Sequence, residues 1–367
     1  MTRWIAGCRN ASRALVPLLL ISATFCAWPA RGQETSAPAP VAAESPVAGA
    51  PLPEGSRPLE PAESESARVL LPLDEVIGSS LFGPLRPERW RPLGMDTFFT
   101  EGWDEPYAPA PGDAPRQTWI NNADGAFYRL YVTSFSFGRN APGGGNEYNG
   151  SFFLFTPLSR RLELGWFVPF VTSAPDGRPS ARGANWTDFG DLTIAPRFLL
   201  AEDRRYTVTS NLFVRIPTGD ARNGNGVASL SPDVEFWANP VERWVIRGGL
   251  GVTVPTNNTP ASLRLLAANP WSGFNDSPGP FTSFDARLAI GRYLTPADSR
   301  YFKNFVPYLA ANLHTELSGG TNTYFSLTPG FRFGLGNEWY ALGGLEVPLV
   351  GPLPFATQTI VQFIKNF

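Results

Sequence analysis

The feature that most constrains this chain is a unit that repeats from about residue 126 to its end. Some ten residues alternate between apolar and polar side chains, then a cluster of Gly, Pro, Asn or Asp closes the segment. YTVTSNLFVRIP from Tyr206, WVIRGGLGVTVP from Trp244, FVPYLAANLHTEL from Phe305 and the closing TQTIVQFIKNF are examples among about twelve. A period of two sends successive side chains to opposite faces, so each segment carries one face for each of two surroundings. After residue 28 no run reaches the roughly 20 apolar residues of a spanning helix. Yet aromatics make up 13% of the chain and charged residues only 17%. Hydrophobicity spread one residue in two is the pattern of strands that show one face to lipid.

The connections sharpen this. GRNAPGGGNE is followed by the short LSRR, SAPDGRPSARGANWTD by AEDRR, and TGDARNGNGVA by NPVER; the longest connection, around residues 256–283, comes next. Long and short connections alternate in up-and-down barrels, where one side carries tight periplasmic turns and the other extended loops. A Greek-key sandwich gives no reason for it. The expected fold is therefore all-β, a transmembrane antiparallel up-and-down β-barrel of about 12 strands, an even number as single-chain bacterial barrels require. Pro169, Pro196, Pro232, Pro307, Pro329 and Pro348 fall inside the strand candidates. They fit only at bulges, rims or interrupted ladders, because each lacks a donor.

Parity assigns the two faces. From Phe305, Leu309, Ala311, Leu313 and Leu317 share one side, against Tyr308, Asn312, His314 and Glu316. The same rule places Glu163, Asp191, Arg197, Arg215, Asp233, Glu235, Arg247, Asp285, Arg287, Arg332 and Glu346 on the polar face, the expected lumen lining. A lipid-facing Arg or Lys costs roughly 2–4 kcal/mol at the bilayer midplane, which explains the segregation. Two readings of these charges stand: they line a selective path, or they neutralise one another across neighbouring strands. Lys365 falls on the apolar parity, near enough to a strand end to snorkel.

The rest of the chain divides by composition. Residues 1–32 carry Arg3, Arg9 and Arg13 before an apolar run of about fifteen residues and the small residues Ala30 and Gly32, the layout of a secretory signal. Residues 33–67 are Pro, Ala, Glu and Ser, expected to be a disordered periplasmic linker. Residues 68–125 set aromatics among prolines and form a pre-barrel segment, at the rim or as a plug; the barrel proper is residues 126–367. Cys8 and Cys26 both precede residue 33, which leaves no thiol for disulfides or catalysis in the mature chain. His314 is the single histidine, so no multi-histidine metal site is expected, and no cofactor is. A net charge of −2 gives no case for nucleic acid.

Three local features complete the reading. In the longest connection, Leu263, Leu265, Leu266, Trp271 and Phe274 are candidates for a lid or an apolar capture surface. The chain ends on Phe367 with Phe363 on the same parity, read as a signal for the barrel assembly machinery, with outer-membrane lipid as the other partner. His314 raises the question of a barrel-type lipid hydrolase, a class that places a serine two residues after its histidine; here Glu316 stands at that position.

FGDLTIAPRFLL followed by VRIPTGD, and later SLTPGFRFGLGNEWYALGGLEVPL, resemble the outer-membrane barrels of the "Putative MetA-pathway of phenol degradation" family. FFTEGWDEPY and APRQTWINNADGAFYRL are similar to segments of secreted proteins of this type, and the resemblance runs over roughly residues 90–367. It implies an outer-membrane channel or transporter for small solutes, apolar or aromatic ones included, and supplies no catalytic residue. The rival expectation is a structural or adhesive surface barrel without transport.

Overall fold

The computed structural model describes residues 72–84, 93–94, 100–103, 112–139, 146–173, 186–219, 227–257, 281–318, 323–351 and 355–367. The signal and linker expectations and the lid candidates Leu263, Leu265, Leu266, Trp271 and Phe274 lie outside these residues.

One helix, α1 (Leu73–Phe82), precedes the strands β1 (Leu130–Arg139), β2 (Glu147–Pro157), β3 (Leu162–Ser173), β4 (Trp186–Phe189), β5 (Leu192–Asp203) and β6 (Tyr206–Ile216). Then come β7 (Ser229–Val241), β8 (Trp244–Pro255), β9 (Ser283–Arg292), β10 (Lys303–Glu316), β11 (Thr323–Gly336), β12 (Trp339–Val350) and β13 (Thr357–Asn366). All pair antiparallel in one sheet of 13 strands. It closes on itself: β1 pairs β13 from Leu130↔Asn366 to Arg139↔Thr357, and β2 pairs both β1 and β3. Closure leaves only the far side of the short β4 without a strand partner among the described residues, and a closed sheet is the condition for strands to cross lipid.

Thirteen strands make twelve staves, because β4 and β5 share one. β3 pairs β5 up to Phe167↔Thr193 and β4 from Phe170↔Phe189 onward. The break falls at Gly190–Asp191, opposite Pro169, whose carbonyl accepts from Gly190 N at 2.7 Å. One sequence segment, FGDLTIAPRFLL, thus holds a bend within what periodicity reads as a continuous strand. The first strand also starts later than its pattern: Ala126 to Arg129 precede β1 and lie against inward-facing side chains.

The other prolines follow the same logic. Around Pro196 the β5–β6 ladder skips from Ile194↔Val214 to Arg197↔Asn211. Around Pro232 the β7–β8 ladder skips from Leu230↔Val254 to Asp233↔Gly251. Around Pro329 the β11–β12 ladder skips from Leu327↔Val347 to Gly330↔Gly344. Pro307 lies just past the last β9–β10 pair, and Pro348 beyond the last β12–β13 pair beside a register shift. Each donor-less residue sits where one of its two ladders has nothing to lose.

The outward parity is apolar around the wall: Leu200, Val234, Leu250, Ile290, Leu309, Phe331, Leu345 and Phe363 are all exposed. Soluble monomers rarely leave more than a few hundred Å² of contiguous apolar surface in water. A continuous belt of this kind is the surface of a transmembrane barrel, and among the described residues no helix could span instead. An aromatic follows most short turns, as Tyr206, Trp244 and Trp339, with Tyr301 and Phe302 in the β9–β10 turn, all exposed. That ring has the amphipathic chemistry of a membrane-interface girdle. Lys365 belongs to the outward face, and its Nζ donates to Asn337 O at 2.7 Å in the β11–β12 turn.

Candidate functional site in the barrel lumen

The stretch GDAPRQTWINNADGAFYR, residues 112–129, forms no regular strand and lies inside the barrel. It enters at the end that carries the short turns. Gly112 O accepts from Arg243 N at 2.9 Å, Ala114 N donates to Asn239 Oδ1 at 3.1 Å, and Arg116 pairs Glu202 at 2.5 Å. It then climbs: Thr118 O and Oγ1 accept from Arg332 Nη1 at 2.8 and 2.9 Å, and Ile120 N donates to Tyr308 Oη at 2.8 Å. Trp119 stacks on Tyr308 with centroids 4.8 Å apart and planes 5° from parallel.

The chain reverses at Asn121, whose φ of 52° is left-handed, a conformation asparagine tolerates better than most residues. Its Nδ2 donates to Thr328 Oγ1 at 3.0 Å and to Glu346 Oε2 at 2.7 Å. On the way back Asp124 N donates to Glu235 Oε2 at 3.1 Å, and Asp124 pairs Arg247. Gly125 presses on β7: a Cβ there would sit 2.2 Å from the Phe236 carbonyl carbon, so no other residue fits without a shift. Tyr128 N donates to Glu163 Oε1 at 2.5 Å, and β1 begins two residues on. The turn chemistry of NNADG, small and polar, is what a re-entrant hairpin needs.

The polar-parity residues meet this segment as well as each other. Glu163, fully buried, takes Arg197 as well as the Tyr128 amide. Arg197 also reaches Asn211, lies 3.7 Å from Glu235, and donates to the carbonyls of Asp124 and Ala126. Arg247 donates to Gln117 O as well as Asp124. Glu346 gathers Asn121, Tyr324 at 2.8 Å and Ser326 at 2.6 Å. Away from the segment, Arg215 pairs Asp191 at 3.0 Å, Asp233 accepts from Asn211 Nδ2 at 2.7 Å, and His314 Nδ1 lies 2.8 Å from Asp285. Arg287 and Glu316 are half-buried on the same parity of β9 and β10. Ser318 does not join His314; its Oγ accepts from Thr282 N at 2.9 Å.

Two things escape sequence periodicity. Several partners of the lumen charges come from residues more than a hundred positions away, as with Thr118–Arg332 and Asn121–Glu346. The inward face also carries aromatics: Phe153, Phe167 and Phe213 form a contiguous row, with ring centroids 5.3 and 5.6 Å apart. Trp237 is fully buried there too, beneath Arg116. The one signal that could have placed the segment is its own composition, apolar Trp119 and Ile120 beside turn residues, too short for a stave yet too apolar for a free linker.

Between the two limbs of the segment and the wall, at the short-turn end, remains a cavity of about 380 Å³. Trp103, Gln117, Tyr128, Tyr293, Arg332 and Tyr340 are among its lining residues. Nearby, Arg129 ties three parts together: it donates to Phe367 O, to Ser80 O at 3.3 Å and to Gly83 O at 3.0 Å, binding α1 and the end of the chain to the start of β1.

Among solved structures, the chain is similar to the COG4313 outer membrane channel from Pseudomonas putida F1, with 13% identity over 71% of this chain and 99% of that one and a TM-score of 0.48. It is also similar to the KdgM porin, with 6% identity over 65% and 99% and a TM-score of 0.40, and to the NanC porin, with 5% identity over 65% and 98% and a TM-score of 0.44. No curated protein sequence matches. A family model, described as "Putative MetA-pathway of phenol degradation", matches residues 125–341, from the glycine wedged against β7 to the start of β12. That match spans more than half of the sequence, and the chain belongs to this family.

Proposed function

We propose that the protein is an outer-membrane channel for small solutes whose constriction is the segment 112–129. One observation carries this reading: hydrogen bonds, ion pairs and ring contacts hold the segment to inward side chains, while the wall ladder closes without it. Displacing it would break no strand pairing, so a path can open through an intact barrel. The lumen charges, from Glu163 and Arg197 on one side to Arg332 and Glu346 on the other, then serve as the segment's clamps and as the walls of the path. The solutes we assign are small and apolar or aromatic. The row Phe153–Phe167–Phe213 and the Trp119–Tyr308 stack support this, as does the family's description. Outer-membrane lipid covers the outward belt, and the sequence stretch with Trp271 and Phe274 is a further candidate for solute capture.

Planar-bilayer conductance tests the reading. The full-length chain, refolded, should pass small currents, and a chain lacking residues 1–124 should conduct several-fold more. The density of ion pairs in the lumen favours a second reading, a closed structural or adhesive barrel. If the truncated barrel folds but passes no ions, that reading replaces the channel.

A further inference from the structure

Arg332 breaks the pattern of the lumen. Three other buried arginines of the lumen have carboxylate partners: Arg197 has Glu163, Arg215 has Asp191 and Arg247 has Asp124. Arg332 is 1% exposed, yet no acid among the described residues lies within ion-pairing distance of it. Its guanidinium donates only to the carbonyl and hydroxyl of Thr118, lies over the Tyr340 ring at 4.2 Å, and keeps a buried Nε without a partner. A buried cation held by neutral groups alone is costly unless an anion or water reaches it.

What can reach it is set by the cavity that it lines. The volume, about 380 Å³, falls within the range of small-ligand pockets, roughly 300–1,000 Å³. Tyr340 lies against Arg332, and Phe127, Tyr128 and Tyr293 line the same cavity, whose carboxylates are already engaged: Glu202 with Arg116 and Arg160, Asp113 with Arg205, and Glu338 with the Tyr340 hydroxyl. The Tyr293 hydroxyl is already engaged, donating to Pro115 O at 3.2 Å, so its ring rather than its oxygen is on offer. The other guanidinium groups that line it are engaged, Arg116 and Arg160 with Glu202, Arg243 with Glu242 and Arg129 with three carbonyls, so the fork left for a carboxylate is that of Arg332, which together with the ring faces matches one class of solute.

We propose that this cavity binds a small aromatic monocarboxylate, with Arg332 forking the carboxylate and the tyrosine rings holding the ring. The site sits between the entry limb and the return limb of the lumen segment, on the route that a solute would take. It rests on the channel reading for its role but not for its existence.

Calorimetric titration of the full-length chain folded in detergent micelles decides it, with benzoate against benzamide, the uncharged ligand of the same shape. Benzoate should bind saturably, one per barrel, and benzamide at least about tenfold more weakly. Arg332→Met should lower benzoate to the benzamide level, while Arg332→Lys keeps part of the preference, because a point charge cannot fork. Heat-modifiable gel migration checks that each variant is folded. Equal affinities for the two ligands, no saturable benzoate heat, or a folded Arg332→Met that binds as before would each overturn the site. If Arg332→Met does not fold, the wild-type comparison and Arg332→Lys decide alone. Conductance is read separately. Benzoate binding by a barrel that never conducts sinks the channel and leaves the site, and conductance without benzoate binding does the reverse.

Discussion

Arg197 shows what a single lumen residue does in this protein. It is 1% exposed, neutralises Glu163, lies within reach of Glu235 and caps two carbonyls of the lumen segment. Removing one partner of a buried pair leaves an uncompensated charge and costs about 3–5 kcal/mol, whereas replacing both can be neutral. Arg197→Met should therefore lower the unfolding free energy in micelles by that amount, seen as an earlier midpoint in denaturant. The double variant Glu163→Leu/Arg197→Met should recover only part of the loss, because the Tyr128 amide and the carbonyls of Asp124 and Ala126 still lose their partners. Full recovery would mean that the segment gains little from these two side chains. Parity alone assigns Arg197 and Glu163 to one face, and the register Glu163↔Arg197 makes them neighbours. Their bonds to residues 124–128 are invisible to periodicity, because that stretch has no period.

At the scale of elements, the staves are legible and the lumen segment is not. Alternation and turn chemistry are local, so they mark β6, β10 or β13 nearly to the residue. The bend between β4 and β5 is tertiary: it appears only when Pro169 on the neighbouring strand is seen to leave Gly190 as the bonding partner of its carbonyl. Residues 112–129 are harder still, since one stretch of chain answers to at least seven strands at once. Their attachment can be tested directly. Ile120 Cβ lies 3.7 Å from where a Cβ on Gly344 would stand, inside the usual disulfide span of about 3.5–4.5 Å. The sequence from residue 27 onward has no cysteine to compete. Ile120→Cys/Gly344→Cys should cross-link on oxidation, shown by altered gel migration that a reductant reverses. Its bilayer current should stay at the low level when oxidised and fluctuate more widely when reduced. If the oxidised and reduced forms conduct alike, movement of this segment does not control the path.

The whole molecule closes where it ends. β13 must find β1, which lies at the far end of the barrel sequence, so the last pairing to form is the most distant in the chain, the kind of contact that loop-closure entropy makes slow. The end of that seam is tied with particular care: Phe367 N donates to Arg129 O at 3.2 Å, and Arg129 returns a bond to Phe367 O while holding α1. Along the seam, Gln358 and Gln362 donate to Ser136 and Ser134 at 3.1 and 3.2 Å inside the lumen, while Val361 and Phe363 are exposed on the outer wall. Two roles for the final aromatic are then separable. If it serves only closure, deleting Phe367 should slow refolding into detergent and lower stability by about 1–2 kcal/mol, the scale of a few lost hydrogen bonds. If Phe363 and Phe367 are also what the assembly machinery reads, as we expect, the deletion should cut the folded barrel recovered from outer membranes far more than it cuts the yield of refolding without that machinery. Heat-modifiable migration measures both yields in the same units. A deletion that lowers the two equally leaves Phe367 a structural residue, because its bonds to Arg129 then account for the whole effect.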